Sequence, residues 1–387
     1  MKSYHIKPWP VFVYFVMIIS LAIAGLLVST YLSISHFKNY TDIGYKSFCA
    51  VSKSINCDTV SQSPYSIFLG VPVPIWGVLG YILIIIILFF SLNVKEKKMG
   101  ALSTLLLIGV LYSAIGLFLG IISAAKIHSY CIMCIVIYGI NFMLFYMFWL
   151  IRRRFEKDSF INLLKKDFLF WKKCKKMVIT LGTISIAAFL SLMFFFPHYW
   201  ELSPPLNAKD IKTGYTEGGY PWIGAENPEL TITEFADYQC FQCRKLHFFL
   251  RTLIATYPDK LRLIHRHFPM DHKFNPIVKE PLSPGSGILA LIAIYASEKN
   301  RFWEINDLLY TYDMSRGAIY LEEIAESVNF EPDKMAAEIN SPRITQKLYR
   351  DIIAGLKNNI YGTPSYLING QMYTGYIPKY VLDSLRK

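Results

Sequence analysis

The chain has 387 residues, 53% of them hydrophobic, with a mean hydropathy of +0.33 and a formal net charge of +12. The length allows two domains, and the hydropathy excludes an ordinary soluble protein. The charge does not argue for a nucleic-acid partner, because ten basic residues crowd into one segment, 152–176 ("RRRFEKDSFINLLKKDFLFWKKCKK"), between two apolar runs.

A bilayer span needs roughly 20 apolar residues. The first candidate is Val11–Ile34. It runs for 24 residues, only two lysines precede it, and no clear small-residue cleavage site follows, so it reads as a retained span and not a signal peptide. Residues 35–74 come next, rich in Ser, Pro and Gly, with Cys49 and Cys57 separated by seven residues. Taken alone, that pair suits either a structural disulfide or a redox couple. The apolar patch Tyr65–Val73 is too short to span and suits a helix or loop lying along the interface.

Further spans are expected at Ile75–Leu92, Ala101–Ala124, Ile132–Ile151 and Val178–Pro197. Lys95, Lys97 and Lys98 mark the loop at 93–100, and the ten basic residues mark 152–176, whereas only Lys126 lies between the third and fourth spans. The positive-inside rule then sets the amino terminus and both basic loops in the cytoplasm, and everything after Pro197 outside. Lys38, Lys46 and Lys53 in the first external loop run against that bias. Six of the seven cysteines then face the oxidising side as three local pairs, and Cys174 alone stays in the cytoplasm.

In the second pair, Cys131 and Cys134 sit at the start of the fourth span. A spacing of three puts both sulfurs on one helix face, with Tyr138 and Asn141 continuing the stripe inward. A helix start favours the thiolate. Such a stripe suits a polar-headed, lipid-soluble oxidant; polar packing between spans is the alternative, and the neighbouring CxxC weighs against it.

After the fifth span, "ELSPPLNAKDIKTGYTEGGYPWIG" reads as a linker. Then "ELTITEFADYQCFQC" is a strand running into a turn, and Cys240 and Cys243 open a helix. "LRLIHRHF" is a second strand, residues 287–357 carry helical periodicity, and "PSYLINGQMYTG" is a hairpin around Asn369-Gly370. The Cys240–Cys243 pair admits redox exchange, zinc binding with His247, His265, His267 or His272, or an inert disulfide.

Together "EFADYQCFQC" and "GTPSYLING" resemble a DsbA-like thiol oxidoreductase over roughly residues 221–387. The resemblance implies an α/β thioredoxin-like fold with an inserted helical subdomain, and a cis-proline loop at Thr363-Pro364 that presents backbone to an extended substrate. It implies Cys240 as the attacking thiol and Cys243 as the resolving one. Glu234 matches an acidic position associated with proton transfer, though a water-facing strand carboxylate fits as well. Phe241 stands where many members have proline, so the redox poise is not carried over.

The set C-x7-C, "SQSPYSIFLGVPVPIWG" and "CIMCIVIYGIN" resembles the vitamin K epoxide reductase family over residues 10–151, which in bacterial homologues is fused to a thioredoxin-like domain. This implies an α-helical membrane bundle, a four-helix core plus a fifth connecting span, over 1–200, then a linker at 201–222 and the thioredoxin-like domain at 223–387. It implies Cys131–Cys134 as the quinone-facing couple, Cys49–Cys57 as the shuttle, and Tyr138, Ser63 and Asn141 beside the quinone, whether ubiquinone or menaquinone. Val73 stands where animal members carry a substrate-contacting asparagine, so vitamin K epoxide reduction itself is not implied.

The expectation is therefore a multi-pass protein of the bacterial inner membrane. It would form disulfides in exported cysteine-containing proteins, with the soluble domain on the periplasmic side and no metal site assigned. The rivals are a membrane-tethered metal carrier using the CxxC sites, a disulfide isomerase, and a reductase running the same path backwards.

Overall fold

In the computed structural model, residues 10–52, 54–92, 101–156, 158–204, 211–312 and 318–386 are described. The chain divides into two compact units, Met1–Tyr199 and Trp200–Lys387.

In the first unit, Pro10 leads into α1 (Val11–Thr41). A loop then reaches α2 (Cys57–Ser61), a 3-10 turn at Pro64–Ser66 and a two-stranded hairpin of β1 (Ile67–Phe68) and β2 (Val71–Pro72). Next come α3 (Val73–Leu92), α4 (Leu102–Ile122) with a π-turn at Ser123–Ile127, α5 (Ile132–Phe155), α6 (Phe160–Lys173) and α7 (Lys175–Phe195). Five of these, α1, α3, α4, α5 and α7, are long and apolar enough to cross a membrane. All five expected spans are present, within a few residues at most ends and seven longer for α1. The hairpin occupies most of the patch expected to lie as a helix or loop at 65–73, and α3 begins at its last residue. The basic loop 93–100 lies outside the described residues.

α1 packs on α3 and α5, and α4 on α5 and α6, around Ile18, Tyr81, Leu88, Leu105, Leu144 and Phe148. Close contact depends on glycine. A Cβ at Gly25 of α1 would stand 2.3 Å from the Tyr81 ring of α3, and one at Gly116 of α4 would stand 3.1 Å from Tyr138 of α5. In contrast, α7 has no buried residue.

The segment 152–176, expected as a loop, contains α6. The physical reason lies at the start of α4, whose first residues follow Ala101 at φ 65, with no side chain able to cap them. Asp167 of α6 supplies the cap from outside, accepting from the Thr104 N–H at 2.8 Å, Thr104 Oγ1 at 3.0 Å and Ser103 Oγ at 2.5 Å.

The second unit is built on a six-stranded sheet in the order β3-β4-β6-β5-β7-β8, with β5 and β6 parallel and the other pairs antiparallel. Its elements are β3 (Thr213–Tyr215), β4 (Pro221–Gly224), β5 (Leu230–Ala236), α8 (Phe241–Thr256) and β6 (Leu261–His267). The helices α9 (Ser286–Glu298), α10 (Phe302–Thr311), α11 (Leu321–Ser327), α12 (Pro332–Ile339) and α13 (Pro342–Lys357) are inserted before β7 (Ser365–Ile368), β8 (Gln371–Thr374) and α14 (Lys379–Asp383). The sheet thus starts inside the stretch 201–222 read as a linker. Asn369 at φ 50 and Gly370 at φ 79 make the expected tight hairpin turn. The result is a thioredoxin-like α/β unit with helices inserted between β6 and β7.

Candidate functional site

The first unit gathers four of its five cysteines together, and Cys174 lies apart at the end of α6. Cys49 and Cys57 form a disulfide with a Cα–Cα distance of 5.6 Å, and both are buried, at 0% and 3% exposure. Asn56 caps α2 by accepting from the Asp58 and Thr59 N–H groups, which fixes Cys57 at the helix start. The buried Asp58 carboxylate ties the loop down, accepting from Asn39 Nδ2 of α1 and from the Ser47 N–H, both at 3.1 Å. Backbone bonds from Asn56 N–H to Tyr130 O (2.9 Å) and from Tyr130 N–H to Ser54 O (2.8 Å) lace this loop to the residue before Cys131. Cys49, Cys57 and Cys131 therefore share one buried cluster, with Cys134 packed against it.

Cys131 caps α5 with its own sulfur, which accepts the Cys134 N–H at 3.2 Å. The neighbouring Cys134 thiol, donating to that sulfur, holds the Cys131 thiol below its ordinary range against the opposing effect of burial. Beneath the sulfurs lies a cavity of about 240 Å³, which Cys57, Cys131, Cys134, Ser63, Tyr138 and Asn141 all line. Its walls are otherwise mainly apolar, and Val73 is among them.

Two of the expected polar contacts are already engaged. Asn141 accepts from the Tyr81 hydroxyl at 2.6 Å and donates to Tyr112 O at 3.4 Å, and Ser63 donates to Val60 O at 2.8 Å. Tyr81, Tyr112 and His36 line the cavity too, and the sequence reading did not name them. His36 faces Tyr199 at 2.8 Å and Ser66 at 3.3 Å. A tyrosine spaced along an apolar helix gives no sign, by itself, of which partner its hydroxyl finds.

In the second unit, β5 delivers the chain to the head of α8, and Cys240 is the capping residue. Its sulfur accepts the Cys243 N–H at 3.4 Å and donates to Thr363 O at 3.5 Å, next to the cis Thr363-Pro364 peptide. The expected proximity of Thr363 to the CxxC is present. The Cys243 thiol, donating to Cys240, lowers the Cys240 thiol against the opposing effect of burial. Burial first, and then that same bond, push Cys243 well up.

Glu234 does not face water. It is 1% exposed, receives His265 Nδ1 at 2.6 Å and lies 3.7 Å from His247 Nδ1. Burial would raise its carboxyl, but the two histidines outweigh this and hold it at about 2. His247 passes the network on to Asp307 at 2.7 Å, and Arg251 joins Asp307 at 2.8 Å. Burial lowers His247, yet Asp307 and Glu234 together bring it above its usual value. Among the described residues no cluster of three or more His, Cys, Asp or Glu is arranged to hold a metal ion. Of the histidines offered to zinc by the sequence, His247 and His265 bond carboxylates, and the His267 ring meets His265 Nε2 at 3.3 Å.

Comparison with known proteins gives two family matches: the vitamin K epoxide reductase family over residues 16–149 and thioredoxin over 216–383. Among curated relatives, a probable disulfide bond formation protein D of Bacillus anthracis is 25% identical over 175 residues, 43% of this chain and 74% of that protein. A Na(+)/H(+) antiporter NhaA 3 of Salinispora tropica is 25% identical over 152 residues, 39% of this chain. The match spans only 22% of the antiporter's length. Among solved structures, oxidised BdbD from Bacillus subtilis aligns at 17% identity over 46% of this chain and 100% of that one, with a TM-score of 0.37.

Proposed function

From a chain that carries a vitamin K epoxide reductase family domain at residues 16–149 and a thioredoxin domain at 216–383, we propose a membrane thiol:disulfide oxidoreductase that makes disulfides in exported proteins. The observation that carries this reading is the single buried cluster of Cys49, Cys57 and Cys131, with Cys134 packed against it, three of whose members line an apolar cavity. A disulfide and a dithiol held in contact are the two halves of an exchange reaction.

The electrons run inward. A client thiolate attacks Cys240 and displaces Cys243 as a thiolate, a second client thiol then attacks the mixed disulfide, and the client leaves with its own disulfide while both thiols of the pair are reduced. Cys240, with its thiol held low, attacks Cys49–Cys57 in turn and regains its disulfide with Cys243. The reduced loop pair, through Cys57, passes two electrons to Cys131–Cys134. A quinone in the bilayer would accept those two electrons and two protons, restoring the Cys131–Cys134 disulfide. The cavity suits such a molecule because its walls are mainly apolar and Cys57, Cys131 and Cys134 line it. Tyr138 stands by the sulfurs on its Gly116 seat, and Asn141 holds Tyr81 in place at the wall.

The ten basic residues of 152–176 support a cytoplasmic position for α6 and an extracytoplasmic one for the second unit. The division into a membrane domain over 1–200 and a soluble domain, with the tether ending ahead of β3 at Thr213, belongs to the same proposal. Thr363 and Pro364 are the proposed client-facing loop. The test is Cys131→Ala in cells, with the redox state of Cys240–Cys243 trapped by alkylation. The relay requires that pair to accumulate reduced. If it stays oxidised at the wild-type level, the chain acts as an isomerase or carrier instead.

A further inference from the structure

The three arginines that end α5 are already spent within the protein. Arg152 lies 5.1 Å over the Phe160 ring, Arg153 lies 5.2 Å over Trp149, and Arg154 receives the Tyr14 ring at 5.7 Å and bonds its hydroxyl. The lysines of α6 differ. Lys166 pairs with Glu156 and Asp158, but Lys165, Lys172 and Lys173 form no ion pair among the described residues and are exposed.

α6 has three faces. Leu163, Asp167 and Phe170 pack inward, and Asp167 caps the start of α4. Because α4 crosses the bilayer and Asp167 is buried against its first turn, α6 is pinned at the level where that span meets water. At about 100° per residue, Ile161, Leu164 and Phe168 share a second face. Phe168 is 69% exposed and Ile161 64%. The third face begins with Lys165 and Lys172 at the border of that apolar stripe and continues to Lys173.

We infer that α6 is an interfacial helix that binds the anionic phospholipids of the leaflet next to it: the apolar stripe enters the acyl boundary and Lys165, Lys172 and Lys173 hold phosphate-bearing headgroups. The charge complementarity is one-sided, since the helix's only carboxylate, Asp167, is buried. Exposed apolar area flanked by unpaired lysines, at bilayer depth, is the combination that makes such binding favourable. This inference does not depend on the redox reading.

The test uses the full chain in nanodiscs of mixed phosphatidylglycerol and phosphatidylcholine, with the lipids that stay bound read by native mass spectrometry. Wild type should retain phosphatidylglycerol in excess of its share in the bilayer. The variant Lys165→Gln/Lys172→Gln/Lys173→Gln should lose at least about tenfold of that enrichment, since each lysine near the surface is worth about 1 kcal/mol, and the matching triple arginine variant should keep it. Equal enrichment in wild type and the glutamine variant overturns the inference. A measurement on the unmodified chain covers the case of a variant that fails to fold. Raising salt from 0.1 M to 1 M shortens the screening length from about 10 Å to about 3 Å, so enrichment should collapse; enrichment that ignores salt overturns the inference as well.

Discussion

At the scale of single residues, both CxxC pairs use one device: the first sulfur takes the place of a capping oxygen and accepts an N–H from the second cysteine, at 3.2 Å for Cys131 and 3.4 Å for Cys240. The consequence for Cys240 and Cys243 is a division of labour. Cys240 is held low by the bond from Cys243, whereas Cys243 is 1% exposed and pushed up by burial. Alkylation of the reduced full chain near pH 7, followed by mass, should therefore modify Cys240 at least about tenfold faster than Cys243. Comparable rates would contradict the assignment of attacker and resolver. Glu234 gives a second residue-level prediction. Its folded value of about 2 lies below the usual 4.5, so its stabilisation is complete above roughly pH 5 and is lost as the pH falls toward 2. The shift amounts to roughly 3 kcal/mol. His247 is raised, so its contribution is present below its ordinary value and is lost as pH rises through the folded one. The buried network is thus firmest in the mildly acidic range. The denaturant midpoint for exposing α8 to protease should fall between pH 5 and 3 in wild type, and Glu234→Gln should be less stable at pH 6 with a flatter acid limb. An unchanged acid limb in that variant would show that Glu234 does not carry the effect.

Among the elements, the loop between α1 and α2 decides whether the Cys49–Cys57 disulfide, the shuttle of the proposed relay, can be reached at all. With Cys49 at 0% exposure, no external thiol meets it until the loop around Ser47 lifts, and the Asp58 carboxylate clamps Ser47 to Asn39 of α1. Hydrogen bonds to a charged group are worth about 1.5–3 kcal/mol each. Asp58→Ala should therefore speed reduction of Cys49–Cys57 by a small thiol at least roughly tenfold, with Asp58→Asn in between; a rate equal to wild type would mean the clamp lies elsewhere. The α4–α5 contact gives a second test. A side chain at Gly116 must displace Tyr138, so Gly116→Val should weaken binding of a soluble quinone several-fold while leaving the Cys49–Cys57 disulfide intact. These elements also mark how much was legible beforehand. Spans, CxxC helix starts and the Asn369-Gly370 hairpin follow local rules of period, capping and turn chemistry, and they stand where those rules put them. Asp167 capping α4, Tyr81 meeting Asn141 and Glu234 meeting His265 join residues 63, 60 and 31 positions apart. No local pattern encodes such partners, and the water-facing reading of Glu234 failed for that reason.

For the whole molecule, the proposed relay gives the carrying of both units on one chain a kinetic value. A tethered partner presents its thiols at an effective concentration of about 1 mM, whatever the bulk concentration of protein. Two full-length variants separate this from encounter between molecules: Cys131→Ala/Cys134→Ala retains the Cys240–Cys243 pair, and Cys240→Ala/Cys243→Ala retains the pairs of the first unit. Each is placed in its own nanodisc and the two are mixed. Wild type should oxidise a reduced model peptide, with quinone present, at a rate per molecule that does not change on dilution. The mixture should oxidise it at a rate per molecule proportional to concentration, and near 1 μM the ratio of tethered to free encounter implies about a thousandfold deficit. Competition by excess Cys131→Ala/Cys134→Ala chain should leave wild type untouched, because its own second unit wins each encounter. A mixture as fast as wild type at micromolar concentration would mean that electrons pass between chains, and the covalent fusion would then need another explanation.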